Sequence, residues 1–179
     1  MRASDGTTAG RRQRRPLLAV LAVVLVGAGL GWWLLKPAQA DAKRLPDLTL
    51  ERYEGGSVAL AVTDRPTIVN LWATWCPPCR RELPMLAAAA RANPEVRFYF
   101  ADQGEARSVV EAYLAGRDDL VIEGVLLDQG SVLSNEFEAV GLPVTLFFDA
   151  KGNHVLSHIG EVSEVELLNY LTDLKRGRL

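Results

Sequence analysis

The chain has two cysteines, and they stand two residues apart in Trp75-Cys76-Pro77-Pro78-Cys79. That gap lets the second sulfur reach the first, so the pair can close a disulfide and pass it to another protein by thiol–disulfide exchange. In this scheme Cys76 is the exposed attacking thiol and Cys79 the resolving one. Two other uses compete. Half of a zinc site would need two more ligands, and the only histidines, His154 and His158, follow about 75 residues later, whereas finger-type sites close the gap in about 12–15. A purely structural disulfide is disfavoured because so short a loop hardly constrains the unfolded chain.

An attacking thiol is activated at a helix start, where free backbone N–H groups and the helix dipole favour the thiolate. The flanking sequence supplies that setting. Thr67-Ile68-Val69-Asn70-Leu71-Trp72, bounded by Pro66, reads as a buried strand. Residues 80–93 read as a helix that Pro84 should kink, since proline cannot donate to the helix ladder. Upstream, residues 48–52 and 57–60 flank Glu54-Gly55-Gly56 as a hairpin. Downstream come strands at 96–101 and 125–127, and helices at 105–114 and 131–139. Residues 144–148 and 154–158, joined by a turn at 149–153, make an antiparallel pair. Ser163 opens a last helix as its N-cap, with Glu164 and Glu166 in the first turn where the dipole favours anions. Strands alternating with helices predict an α/β fold with a mixed sheet.

Charge divides the chain. The whole carries 20 Lys/Arg and 22 Asp/Glu, but residues 1–44 hold eight basic and two acidic residues, leaving 12 against 20 beyond them. An acidic body has little hold on phosphates, so a nucleic-acid partner is excluded. Within the basic part, Arg11, Arg12, Arg14 and Arg15 precede Leu17 to Leu35, which is free of charge. That run is long enough to span a bilayer as a helix, Trp32 and Trp33 suit the lipid–water interface, and the arginines keep the N-terminus cytoplasmic. Residues 1–16 are thus read as a cytoplasmic tail, 17–35 as a transmembrane anchor or uncleaved signal, 36–44 as a linker and 45–179 as one domain outside the cytoplasm. Ala38-Gln39-Ala40 is a small-x-small site of the kind signal peptidases cut, but an apolar run of this length favours retention.

The segment Val69 to Pro84, Val-Asn-Leu-Trp-Ala-Thr-Trp-Cys-Pro-Pro-Cys-Arg-Arg-Glu-Leu-Pro, resembles the active-site segment of the bacterial membrane-anchored thiol:disulfide reductases of the TlpA/ResA/DsbE group. Gly141-Leu142-Pro143-Val144-Thr145-Leu146-Phe147-Phe148-Asp149 resembles that family's cis-proline strand. The likeness runs in order over residues 45–175. It implies a thioredoxin-like fold, a cis Pro143 beside Cys76, and a substrate groove to which Trp75, Pro77, Pro78, Leu142 and Pro143 contribute. It also implies that Glu82, one turn after Cys79, is the active-site glutamate. Asn70 takes the position where thioredoxin has a buried aspartate, so Glu82 would accept the proton of Cys79. Val144 departs from the hydroxyl residue many relatives carry after the cis-proline, which leaves substrate preference open.

The implied activity is reduction of disulfides in exported proteins, such as apocytochromes c or oxidase-assembly clients, by a monomer at the periplasmic side of the inner membrane. The redox-active disulfide is the only cofactor required. A membrane thiol transporter of the DsbD/CcdA type would donate electrons. Rival readings are a copper-binding oxidase-assembly protein and a peroxiredoxin-like thiol peroxidase.

Overall fold

The computed structural model describes residues 43–61 and 63–179. The tail, the apolar run and most of the linker lie outside the described residues. Among the described residues no helix is long and apolar enough to cross a membrane.

Seven strands form one sheet: β1 (Thr49–Arg52), β2 (Ser57–Ala59), β3 (Thr67–Trp72), β4 (Arg97–Gln103), β5 (Val125–Asp128), β6 (Val144–Phe148) and β7 (His154–Ile159), in the order β2-β1-β5-β4-β3-β6-β7. β4 runs parallel to both β3 and β5, while β6 and β7 are antiparallel additions on the other side of β3. The sheet is mixed, as the alternation predicts. The hairpin of β1 and β2 closes through Gly55 and Gly56, both at positive φ, which glycine adopts without Cβ clashes. It pairs with β5 and so extends the sheet edge.

β3 has the predicted bounds because its entire run is buried on both faces, the environment in which a continuous apolar strand is read most easily. Side chains alternate between two cores. Ile68, Trp72, Phe98, Phe100 and Phe147 face one cluster with Leu83 and Leu86, whereas Val69, Leu71, Tyr99, Leu146 and Phe148 face the other with Leu133. Four helices cover the sheet: α1 (Pro77–Ala92), α2 (Arg107–Ala115), α3 (Val132–Glu136) and α4 (Glu164–Lys175). α1 and α4 pack on the first face and α3 on the second.

Several boundaries differ from the sequence expectation. α1 begins three residues earlier than predicted, because Pro77 and Pro78 occupy the first two helical positions, where the missing N–H has no intrahelical partner to lose and the fixed φ suits the helix. The helix continues across Pro84. β4 extends two residues beyond the predicted end, through Asp102 and Gln103, which are buried despite their polarity. α2 starts two residues later, since Glu105 is engaged elsewhere. Ser163 caps α4 with a full capping box to Glu166. Lys43 and Arg44 reach the turn after β6: the Lys43 carbonyl accepts from His154, and Arg44 bridges Asn153.

Candidate functional site

β3 runs into the turn Ala73 to Cys76, which delivers Cys76 to the N-cap of α1. The Cys76 amide donates to the Ala73 carbonyl at 3.2 Å, and its carbonyl accepts from Arg80 at 3.1 Å. The sulfurs of Cys76 and Cys79 are bonded, with Cα atoms 5.3 Å apart. Because Pro77 and Pro78 have no N–H, the first helical amide able to reach the Cys76 sulfur is that of Cys79, which donates to it at 3.3 Å.

Cys79 is fully buried, as a resolving thiol requires, but Cys76 is only 2 % exposed. The exposed attacking sulfur predicted from sequence is therefore not found in the disulfide form. The cause is local: the N-cap conformation turns the sulfur into the helix start, where it joins the apolar cluster, while Trp75 and Pro77 take the exposed positions. Trp75, 66 % exposed, is a rim residue. Pro78 and Leu142 are half-buried and Pro143 is buried. The Leu142–Pro143 bond is cis, and Leu142 packs against the same cluster that holds both cysteines.

Glu82 is buried one turn beyond Cys79 on the same face of α1. Both of its oxygens are engaged: Oε1 accepts from Asn70 Nδ2 at 2.8 Å, and Oε2 from the Val162 amide at 2.8 Å. Burial pushes its carboxyl up to about 7, while those two bonds hold it down. The carboxyl is thus well paired in its charged form. Asn70 also donates to Thr145 Oγ1 at 3.0 Å, and its own Oδ1 has no partner among the described residues. Rotating the amide by half a turn would present Oδ1 to a protonated Glu82. An asparagine can therefore serve either protonation state, which an ionised aspartate, having no donor, could not.

Thr145 went unremarked in the sequence, although it is the one polar residue of β6, a strand buried along its whole length. Glu105 and Thr74 were missed as well. The Glu105 carboxylate accepts from the Thr74 amide at 2.6 Å and from the Thr74 hydroxyl at 2.7 Å, gripping the turn that carries Cys76. A partnership spanning 31 residues of chain leaves no local signal.

Val144 faces the second core rather than the cysteines. The two histidines lie on β7: His154 packs on Phe137 and Phe148, and His158 against Tyr170. Among the described residues no group of three or more potential ligands could hold a metal ion.

A sequence profile of the AhpC/TSA family matches residues 42–158. The sporulation thiol-disulfide oxidoreductase A of Bacillus subtilis (strain 168) is 25 % identical over 156 residues, covering 83 % of this chain and 93 % of that protein. The thiol-disulfide oxidoreductase ResA of Geobacillus thermodenitrificans (strain NG80-2) is 26 % identical over 174 residues, covering 92 % and 99 %. Among solved structures, that of MTB dsbF in its mixed oxidised and reduced forms superposes with a TM-score of 0.64 at 22 % identity, over 72 % of this chain and 95 % of that one. It is similar in fold.

Proposed function

The chain belongs to the AhpC/TSA family with a thioredoxin-like fold, and from that premise we propose that it is an extracytoplasmic reductase of protein disulfides. Its activity is thiol:disulfide exchange through Cys76 and Cys79. The single observation that carries the direction is the thin stabilisation at the Cys76 sulfur, where one first-turn amide, that of Cys79, is in reach. A less stabilised thiolate means a less stabilised reduced form, and hence a lower potential than that of oxidants with strongly acidic cysteines.

The cycle follows from the geometry. In the reduced protein the Cys76 thiolate attacks one sulfur of a client disulfide, and the other client sulfur leaves and takes up a proton. Glu82 receives the proton of Cys79, whose thiolate attacks the Cys76 sulfur. The second client sulfur departs reduced, and two electrons have passed to the client as the Cys76–Cys79 bond forms. A carboxyl near 7 is matched to this proton transfer. Trp75, Pro77 and Pro78 adjoin the cysteines along the chain, Leu142 packs on their cluster, and with Pro143 they would receive the client backbone.

The basic cluster and the apolar run at 17–35 support a membrane-anchored chain with this domain on the periplasmic side, where a thiol transporter of the DsbD/CcdA type would return electrons. Exported proteins with disulfides, apocytochromes c or oxidase-assembly proteins among them, would be the clients. Equilibration with glutathione and thioredoxin buffers tests the direction: the expected potential lies near thioredoxin's, about -270 mV, and a value near -120 mV would make the protein an oxidant. Cys79→Ser expressed in cells should retain clients as mixed disulfides on Cys76. Rapid peroxide consumption by the purified protein would favour a peroxidase instead.

A further inference from the structure

Behind the redox turn lies a second buried acid that the exchange cycle does not use. Asp102, one residue before the end of β4, is in register with Trp72 of β3, and it is completely buried. Its Oδ1 accepts from the Glu105 amide at 3.3 Å. Its Oδ2 has no donor among the described residues, and the indole Nε1 of Trp72 is equally unpartnered, so the adjacent indole does not supply one. The neighbouring acid is Glu105, whose amide reaches Oδ1 and whose carboxyl lies close enough to push that of Asp102 up. Two carboxyls can bond to each other only if one of them keeps its proton. Glu105 accepts two hydrogen bonds from Thr74, the role of the ionised partner. The unpartnered Oδ2 of Asp102 therefore suits a protonated oxygen, a donor rather than an acceptor left without one.

We propose that Asp102 and Glu105 form a proton-sharing pair that positions the redox turn: anionic Glu105 clamps Thr74, and protonated Asp102 holds Glu105 in place. The positioning role rests on the reading of Cys76 and Cys79 as the exchanging pair. Thr74 lies two residues before Cys76, so the clamp fixes the strand-to-helix turn that sets the sulfur at the start of α1. Desolvation, and then Glu105 and Asp128, keep Asp102 protonated up to about 8.

The other charged groups on the neighbouring elements have their own partners. Asp128 of β5 accepts from the Val132 and Leu133 amides and from Gln103. Arg107 of α2 is held by Glu51, Glu111 and the carbonyls of Arg52 and Tyr53. Arg80 of α1 lies over the Tyr113 ring. Losing the Asp102 proton would set two carboxylates against each other, with a third nearby, and loosen the clamp.

Two readouts on the full chain test this, one independent of redox activity. In 15N-labelled protein the Thr74 amide should resonate downfield and titrate with a midpoint near pH 8. Asp102→Asn, whose amide donates as the protonated acid does, should abolish that midpoint, and Glu105→Gln should remove the downfield position at every pH. A Thr74 amide without a midpoint above pH 7, or one with the same midpoint in Asp102→Asn, overturns the pair. In the second readout, the ratio of the Asp102→Asn to the wild-type rate of exchange with a disulfide substrate should rise about tenfold between pH 7 and pH 9, as wild type loses its clamp. A flat ratio beside a titrating Thr74 overturns the positioning role. If wild type titrates at Thr74 but exchanges no disulfide, like a Cys76→Ser control, the redox reading falls and the positioning role falls with it, while the proton-sharing pair stands.

Discussion

Glu82 and Asp102 are both buried acids beside the same strand, yet their surroundings solve opposite problems. Glu82 accepts from neutral donors, one from Asn70 and one from the Val162 amide, so its charged form is provided for, and desolvation, with a smaller push from the Glu161 charge, keeps the proton on. Asp102 is met by another carboxyl and has one oxygen without a donor, so its charged form has nowhere to go. The first can exchange a proton near neutrality and suits a base that works once per cycle. The second holds its proton through the physiological range and suits a fixed structural part. Burial is the largest cause that raises both; the partners decide which one turns over.

The comparison breaks most visibly at Glu82. Glu82→Gln keeps size and can still hydrogen-bond to Val162 and to a rotated Asn70, but it cannot take a proton from Cys79. Disulfide exchange at neutral pH should slow by about tenfold to a hundredfold, the usual contribution of a general base. The step near pH 7 in the wild-type profile should vanish. Stopped-flow exchange between pH 5 and 9 measures both, and superimposable profiles would remove Glu82 from the cycle.

The next effect is on stability. Asp102 has a folded-state value raised from 3.8 to about 8, so the protonated fold is favoured. Its contribution is fully present below about pH 4 and is lost as the pH rises through about 8, because the unfolded chain releases that proton more readily. Asp102→Asn removes this dependence. The stability of the variant relative to wild type should therefore increase with pH, by about 2 kcal/mol between pH 5 and pH 8 once coupling to Glu105 is allowed for. Urea titrations at the two pH values check it, and a difference that stays flat between them would mean that Asp102 is ionised in the fold.

What was legible in the sequence divides along the same line. The Cys76–Cys79 pair, the β3 strand and the placement of Glu82 on the face of Cys79 are local patterns, set by spacing along one strand and one helix. Asn70 was legible as a missing acid but not as the donor to Glu82. Thr145 meets Asn70 across the β3–β6 ladder, 75 residues on, and Val162 comes to Glu82 from 80 residues away. Asp102 and Glu105 sit in a stretch where the strand was expected to end, since polar residues lower the apolar signal that marks a buried strand. Tertiary pairing, rather than propensity, made Asp102 interior. The early start of α1 has a different reason: Pro77 and Pro78 stand outside the residues 80–93 read as helix, yet they fill its first turn, where proline costs least.

The smallest effect isolates Thr145, which meets the site through the bond from Asn70. Thr145→Val has nearly the same shape, so packing against the β3 face should hold. It removes the acceptor of one amide hydrogen of Asn70 and leaves that hydrogen buried, which should cost about 1 kcal/mol. Freed on that side, Asn70 is held less firmly in the orientation that donates to Glu82 Oε1. That bond favours the carboxylate, so weakening it should move the Glu82 midpoint further up, by a few tenths of a pH unit on the scale of 1.36 kcal/mol per unit. The exchange profile should keep its shape and shift to the alkaline side. Because Thr145 touches neither cysteine in this scheme, the rate well above the midpoint should change little. A slower rate at every pH with an unmoved midpoint would place Thr145 in direct contact with the client instead of behind the base.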